Sequence, residues 1–202
     1  MTDTALGTRD RIVQTTSRLM QRQGYEGTAI KQISQEARVA LSSVYHFFPN
    51  GKQELGIAAI RHADVEFADI LREAMASTDD PAEAMVATAE LLITHLRNSD
   101  WLDGCPITAT ALETASRIPE IQQAVADTFD HWRTLIADKL RAEGAGIAEQ
   151  DAHDLAHTVI NTLEGAELTA QVTRSGEPLE IAGRHLARLV DSYRQGPTRC
   201  DR

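Results

Sequence analysis

The sequence predicts an all-α protein, and two observations carry that expectation. Apolar residues recur at spacings of three and four almost throughout, and no alternating run of β-branched residues is long enough to form a strand. Gly, Pro and Asn then cut the helical pattern into lengths usual for globular helices.

The first helix is expected over about 8–23, with Ile12, Val13, Leu19 and Met20 on one stripe and Gly24 as its end. A second, over about 28–37, takes Thr28 as its N-cap and packs Ile30, Ile33 and Ala37 on one side. A third, short and aromatic, covers about 41–48. Pro49-Asn50-Gly51 stops it, because proline cannot continue a helix and Asn-Gly tolerates positive φ. A long helix follows from about Lys52 to Ala76. Asp80-Pro81-Ala82-Glu83 combines a capping Asp, a proline in the first helical position and a Glu that reaches back, so a helix runs from 81 to about 98. A short helix begins near Pro106. The next, over about 119–143, carries the stripe Ile121, Val125, Phe129, Trp132, Ile136 and Leu140 before Gly144 and Gly146 stop it. Helices over about 149–173 and 178–194 finish the pattern on either side of Ser175-Gly176-Glu177-Pro178, and residues 197–202 are expected to form a disordered tail.

At 202 residues the chain suits one small module and one larger one. Its net charge of -10 is unevenly distributed. Residues 1–62 hold eight Lys and Arg against five Asp and Glu, a balance of +3, whereas residues 63–202 hold twelve against twenty-five, a balance of -13. A small basic face can thus approach phosphate while the acidic body opposes indiscriminate binding to polyanions. Two cysteines, Cys105 and Cys200, lie far apart and in no metal-type spacing, so neither a disulfide framework nor a zinc module is indicated. The start, MTDTALGTRDR, has charges where an export signal needs an apolar core, and no apolar stretch approaches the ~18–20 residues of a membrane span. A soluble cytoplasmic protein with no membrane partner is expected.

Three helices within the first fifty residues, the second and third joined by Arg38-Val39-Ala40-Leu41, have the layout of a helix-turn-helix. The string TAIKQISQEARVALSSVYHFFPNGKQEL at 28–55 resembles the TetR-family signature of Thr, Ile-x-x-x-Ala, Val, Ser, Tyr-His, Phe, Gly-Lys and Leu. The resemblance covers about residues 9–60. It implies a helix-turn-helix DNA-binding domain at 1–51 and a helical effector-binding and dimerisation domain at 52–196. It also implies a homodimeric transcriptional repressor on a pseudo-palindromic double-stranded operator, released by a small-molecule effector.

Each matched residue has a physical reason to be there. The start of a recognition helix offers short side chains and free backbone amides, so Leu41, Ser42 and Ser43 can approach base edges or phosphates in a major groove, with Tyr45 and His46 adding polar tips. Lys52 heads the fourth helix, where its ammonium and the helix N-terminus would together hold a phosphate; Thr28 would serve the second helix likewise. The resemblance implies backbone contacts for Thr28, Tyr45 and Lys52, and base or phosphate contacts for Ser42, Ser43 and His46. Three positions depart from the pattern: Arg38 replaces a turn glycine, Ala40 a capping serine and Phe47 a histidine. Leu41 has two readings, a partner for a thymine methyl or a residue that packs on the turn.

Downstream, GCPITATALETAS at 104–116 resembles a TetR subgroup that includes lincomycin-resistance and flavonoid-responsive repressors, which implies an aromatic or drug-like effector. Phe67, Met75, Met85, Leu92, Trp101, Cys105, Thr108, Leu112, Phe129 and Trp132 are candidate pocket walls, and Asn161 and Glu164 candidate polar anchors. Each apolar one reads equally as ordinary core. Leu155, Val159 and Leu163, with Leu179, Leu186, Leu189, Val190 and Tyr193, form two stripes suited to a four-helix dimer interface or to closing the monomer. Cys105 reads as a small buried residue rather than a redox switch, having no resolving partner nearby. His153 and His157 stand four apart, which is metal-ligand spacing and gives an alternative reading as a helical metal-binding protein or metalloenzyme. The residues between them lack the zincin Glu, and no metal or other cofactor is expected. No nucleophile elbow, phosphate loop or dinucleotide fingerprint is present, so no enzymatic activity is expected.

Overall fold

The computed structural model describes residues 7–142 and 145–194, and all regular structure among them is helical. The order is α1 (Thr8–Gly27), α2 (Ile30–Glu36), α3 (Leu41–Phe47), α4 (Lys52–Ala76), α5 (Pro81–Asn98), α6 (Pro106–Thr114), α7 (Pro119–Leu140), α8 (Glu149–Thr173) and α9 (Glu177–Arg194). The chain divides into two compact units. The first holds residues up to Glu66 together with Cys105–Thr128, and the second holds Phe67–Gly104 and the chain from Phe129. The expected tail at 197–202, and the expected stop at Gly144, lie outside the described residues.

In the first unit, α1, α2 and α3 close on a core of Ile12, Val13, Leu19, Ile33, Ala37, Val44, Phe48 and Leu55. Burying a side chain of this kind contributes about 1.5–3 kcal/mol, which lets a seven-residue helix such as α3 stand although it would not form alone. α6 packs against α1 in the same unit. In the second unit α9 lies against both α5 and α8. Asp80 caps α5 by accepting from the Ala82 and Glu83 amides, and its other oxygen takes Arg194 Nη1 at 2.9 Å, tying the last turn of α9 to the first of α5. That guanidinium holds the Asp80 carboxyl below its ordinary range.

One local expectation holds and another is corrected. The helical backbone of α1 breaks at Gly24, which takes φ 73 and ψ 175, and a last short turn follows the kink to Gly27. A side chain is unwelcome there twice over, since a Cβ would also stand 2.2 Å from Glu113 Oε1. Thr28 does not cap α2, because Ala29 holds that position and makes no side-chain cap. The Thr28 hydroxyl instead donates to the Gly24 carbonyl at 2.7 Å, closing the end of α1.

Candidate nucleic-acid interface

The turn between α2 and α3 is tight enough to force Arg38 to φ 55, the conformation for which glycine is the usual choice. Val39 N–H returns to Ser34 O at 3.0 Å and closes the turn around it. Helix α3 starts at Leu41 with Ala40 as an uncapped predecessor, so its first amides receive no side chain from the cap position. Val44 and Phe48 anchor its inner side, both 1% exposed. Leu41, Ser42, Tyr45 and His46 point outward, and Ser43 and Phe47 sit half-buried at the edges. Phe47 packs on the core, with the His46 ring edge-on to it at 5.1 Å.

Lys52 opens α4 and is already engaged. Its Nζ donates to the Glu26 carbonyl at 3.2 Å and stands 4.5 Å from the centre of the Tyr25 ring, a cation–π distance. One turn along α4, Gly56 makes room for that ring, since a Cβ there would meet Tyr25 Cε2 at 2.8 Å. Burial and the neighbouring Glu26 push the Tyr25 hydroxyl above its ordinary pKa, so the ring presents no competing charge to the lysine. Thr28 contributes differently from the sequence expectation. It is 1% exposed and its hydroxyl is committed to Gly24, so in this conformation it offers no side-chain group to a phosphate.

A second tie reaches the same corner from α6. Glu113 Oε2 accepts the Glu26 amide at 2.8 Å, and Arg117 Nη2 bonds Glu26 Oε1 at 2.8 Å. Helix α6 is thus coupled to the end of α1, and through the Glu26 carbonyl to Lys52. Glu113→Ala is expected to cost about 1 kcal/mol in denaturant melts, by stranding the Glu26 amide and opening space at Gly24. No change in the melts would show the tie to be idle.

Of the candidate effector residues, Cys105, Thr108 and Leu112 lie in the first unit. Cys105 caps α6, its Sγ accepting from Thr108 N at 3.5 Å. Leu112 is 81% exposed and forms no wall in this structure. The remaining candidates lie in the second unit. Met85, Leu92 and Trp132 are buried to 2% exposure or less, which is the core reading of those positions. Phe67 and Phe129 surround Trp132, at 4.1 Å tilted and 5.6 Å edge-on. Met75 is half-buried, its carbonyl accepting Lys139 Nζ at 2.7 Å. Trp101 is half-buried at φ 63, beside Asp100 at φ 54. Asn161 is exposed and Glu164 half-buried. A groove of about 570 Å³ between α5 and α9, lined by Val86, Ile93, Arg97, Glu180 and Arg184 among others, includes none of these candidates.

Of the two readings of the helical stripes, a dimer interface or closure of the monomer, the burial agrees with the second. Leu155, Val159, Leu163, Leu179, Leu186 and Val190 are all buried within the single chain, where α5, α8 and α9 meet. A side chain with no free area cannot supply an interface. Leu189 remains half-buried and Tyr193 exposed. His153 and His157 face each other with ring centres 4.8 Å apart, but His153 Nδ1 is 3.1 Å from Asp154 Oδ1. No group of three or more His, Cys, Asp or Glu able to hold a metal occurs among the described residues, which leaves the metal reading without a third ligand. No helix among them is long and apolar enough to cross a membrane.

The pattern described as "Bacterial regulatory proteins, tetR family" matches residues 12–59, and that described as "Transcriptional regulator LmrA/YxaF-like, C-terminal domain" matches residues 81–185. The chain belongs to the TetR family. It is 30% identical over 182 residues to the uncharacterised HTH-type transcriptional regulator YxaF of Bacillus subtilis, across 90% of this chain and 94% of that protein. The HTH-type transcriptional regulator LmrA of the same organism is also 30% identical, across 85% and 90% of the respective chains. A TetR transcriptional regulator of Chloroflexus aurantiacus superimposes with a TM-score of 0.77 at 28% identity, over 91% of this chain and 94% of that one. This chain is accordingly a TetR-family transcriptional regulator with a helix-turn-helix and an LmrA/YxaF-like C-terminal domain.

Besides the Glu113 tie, sequence reasoning missed a second group in this regulator. Glu167, on α8, is 5% exposed, and its Oε2 has no hydrogen-bond partner among the described residues. Burial, with Glu164 adding repulsion, pushes its carboxyl from 4.5 up to about 8. The folded state therefore binds this proton more tightly than the unfolded chain. The full benefit is present at acid pH and is lost as pH rises from about 4.5 to about 8, at roughly 1.4 kcal/mol per pH unit. Glu167→Gln is expected to flatten that slope in melts across the window. An unchanged slope would mean the carboxyl finds water or a partner in solution.

Proposed function

We propose that this regulator is a cytoplasmic, homodimeric repressor that binds a pseudo-palindromic operator through α3 and is released by a small effector. Residues 1–51 form the DNA-binding head, and residues 52–196 the effector-binding and dimerisation portion. The observation that supports it best is the two-sided α3. Val44 and Phe48 lock its inner side, while Leu41, Ser42, Tyr45 and His46 face outward from a segment, residues 1–62, that is net basic. Ser43 lies at the edge of that face, and Lys52 marks its phosphate border. Thr28 supports the border from beneath rather than touching DNA.

The effector reading rests on the match of residues 81–185 to an LmrA/YxaF-like C-terminal domain. For release, the effector must favour the conformation that cannot bind DNA, and a typical coupling of ~1–3 kcal/mol would lower operator affinity roughly 5–150-fold. The tie from α6 through Glu113 and Glu26 to Lys52 is a route for that coupling.

Gel-shift and salt titration against the duplex upstream of the protein's own gene test the DNA reading. Lys52→Ala is expected to weaken all duplexes alike and to reduce the salt slope by about one unit per site, since a phosphate contact carries no sequence information. Leu41→Ala is expected to change base preference instead, by about 1–3 kcal/mol at one position. A native protein that binds no upstream duplex would overturn the repressor reading.

A further inference from the structure

Within α8, one side chain lacks any explanation in packing. Glu167 is buried, and no cation offsets it: the influences on its carboxyl are burial and the nearby acid Glu164, and both disfavour its charge. Its Oε2 lacks a hydrogen-bond partner among the described residues. An acid so placed weakens the fold at neutral pH, and glutamine or leucine would avoid that cost. One turn further along α8, Gln171 donates to the Leu102 carbonyl at 3.0 Å and lies against Gly104, where a Cβ would meet its Oε1 at 2.4 Å. That segment carries two successive left-handed residues, Asp100 and Trp101. The inner side of α8 therefore holds an orphaned acid one turn from a strained connection that the same helix secures.

We propose that Glu167 is the anchor for a positively charged nitrogen, and that the effector of this regulator is an organic cation, an amine whose ammonium is received by Glu167 with Glu164 beside it. This inference rests on the effector reading above and names its chemical class. A neutral hydroxyl could also donate to an orphaned oxygen, but a second acid one turn away favours charge on the donor. Binding balances as follows. The amine arrives as its ammonium, the Glu167 carboxyl gives up its proton to solvent, and the N–H of the cation donates to the carboxylate left behind. Close to one proton is released for each cation bound at neutral pH.

The test uses the full-length protein and three probes sharing one ring system, 1-naphthylmethylamine, 1-naphthylmethanol and 1-naphthoic acid, titrated by calorimetry in phosphate and in Tris buffer. The amine is expected to bind at least about ten-fold more tightly than the alcohol, the usual worth of a hydrogen bond to a charged group. It should release close to one proton, and the acid should bind worst. Glu167→Gln keeps the side-chain shape and should bring the amine down to the alcohol while abolishing proton release, with alcohol binding unchanged. If that variant fails to fold, Glu164→Gln carries the test, and the preference for the amine should drop several-fold. Equal binding of amine and alcohol, failure of the amine to bind, or a preference that survives both substitutions overturns the proposal. Operator binding by the native protein, measured on the same preparation, judges the repressor reading separately. Loss of the amine preference leaves that reading standing.

Discussion

Trp132→Ala is expected to cost about 3–5 kcal/mol of stability, one of the largest losses available to a single substitution in this chain. The indole is fully buried, lies 4.1 Å from Phe67 ring centre to ring centre, and takes the edge contact of Phe129 at 5.6 Å. Truncation removes the transfer energy of the ring and leaves a cavity between two aromatics that cannot both collapse into it. Its Nε1 lacks a hydrogen-bond partner among the described residues, so Trp132→Phe should cost much less, as it removes an unsatisfied donor along with part of the ring. Urea titration of the two variants decides the issue. A Trp132→Ala loss below about 1 kcal/mol would mean that the indole lines an open ligand cavity rather than the core.

The helical order was legible because the punctuation has few alternatives. Asp80-Pro81 starts α5 by the cap and the fixed proline φ, and Pro49-Asn50-Gly51 separates α3 from α4. Gly24 was legible as a helix break, but only half of its reason was. A glycine at the end of an apolar stripe reads as a C-cap, and the carboxylate that needs the space, Glu113, is 89 positions away in the chain. Thr28 misled, because a threonine before an apolar run fits a cap in front of it as well as a hydroxyl closing the helix behind it. At Arg38 the sequence already indicated an unfavourable φ, and the structure places it at 55.

The outward face of α3 was readable from the alternation of Val44 and Phe48 with Ser42, Tyr45 and His46. Glu113 and Glu167 were not, since a glutamate inside a helix suits a solvated face far more often than an amide latch or a buried acid. Glu164, three positions before Glu167, drew attention only as a polar residue in an apolar stretch. Telling apart two acids one helical turn from each other requires knowing the helix rotation to within one residue, which periodicity alone does not supply when the stripe is broad.

The same limitation governs assembly, where two substitutions on neighbouring helices should behave oppositely. Leu186 is 2% exposed within the single chain, so Leu186→Asp puts an uncompensated charge into the subunit interior and is expected to unfold it rather than separate two subunits. The face of α8 that remains free is Asn161, Gly165, Leu168 and Val172, at spacings of four, three and four, with Leu168 and Val172 at 53% and 76% exposure. Gly165 has no reason within the chain, since a Cβ there would meet nothing within 4 Å, and a mid-helix glycine costs about 0.5–1 kcal/mol relative to alanine. Close approach by the equivalent helix of a second copy would explain both the glycine and the exposed apolar pair, and Ile181 and Tyr193 of α9 are exposed as well. Leu168→Glu combined with Val172→Glu is therefore expected to leave subunit stability within about 0.5 kcal/mol, because both side chains already face water. Across a two-fold axis it places four like charges together, which should weaken dimerisation at least ~100-fold and operator affinity with it. Sedimentation at micromolar concentration, beside denaturant melts of the same samples, reads both quantities. A double variant that still sediments as a dimer, or a Leu186→Asp protein that is folded and monomeric, would return the interface to the inner stripes.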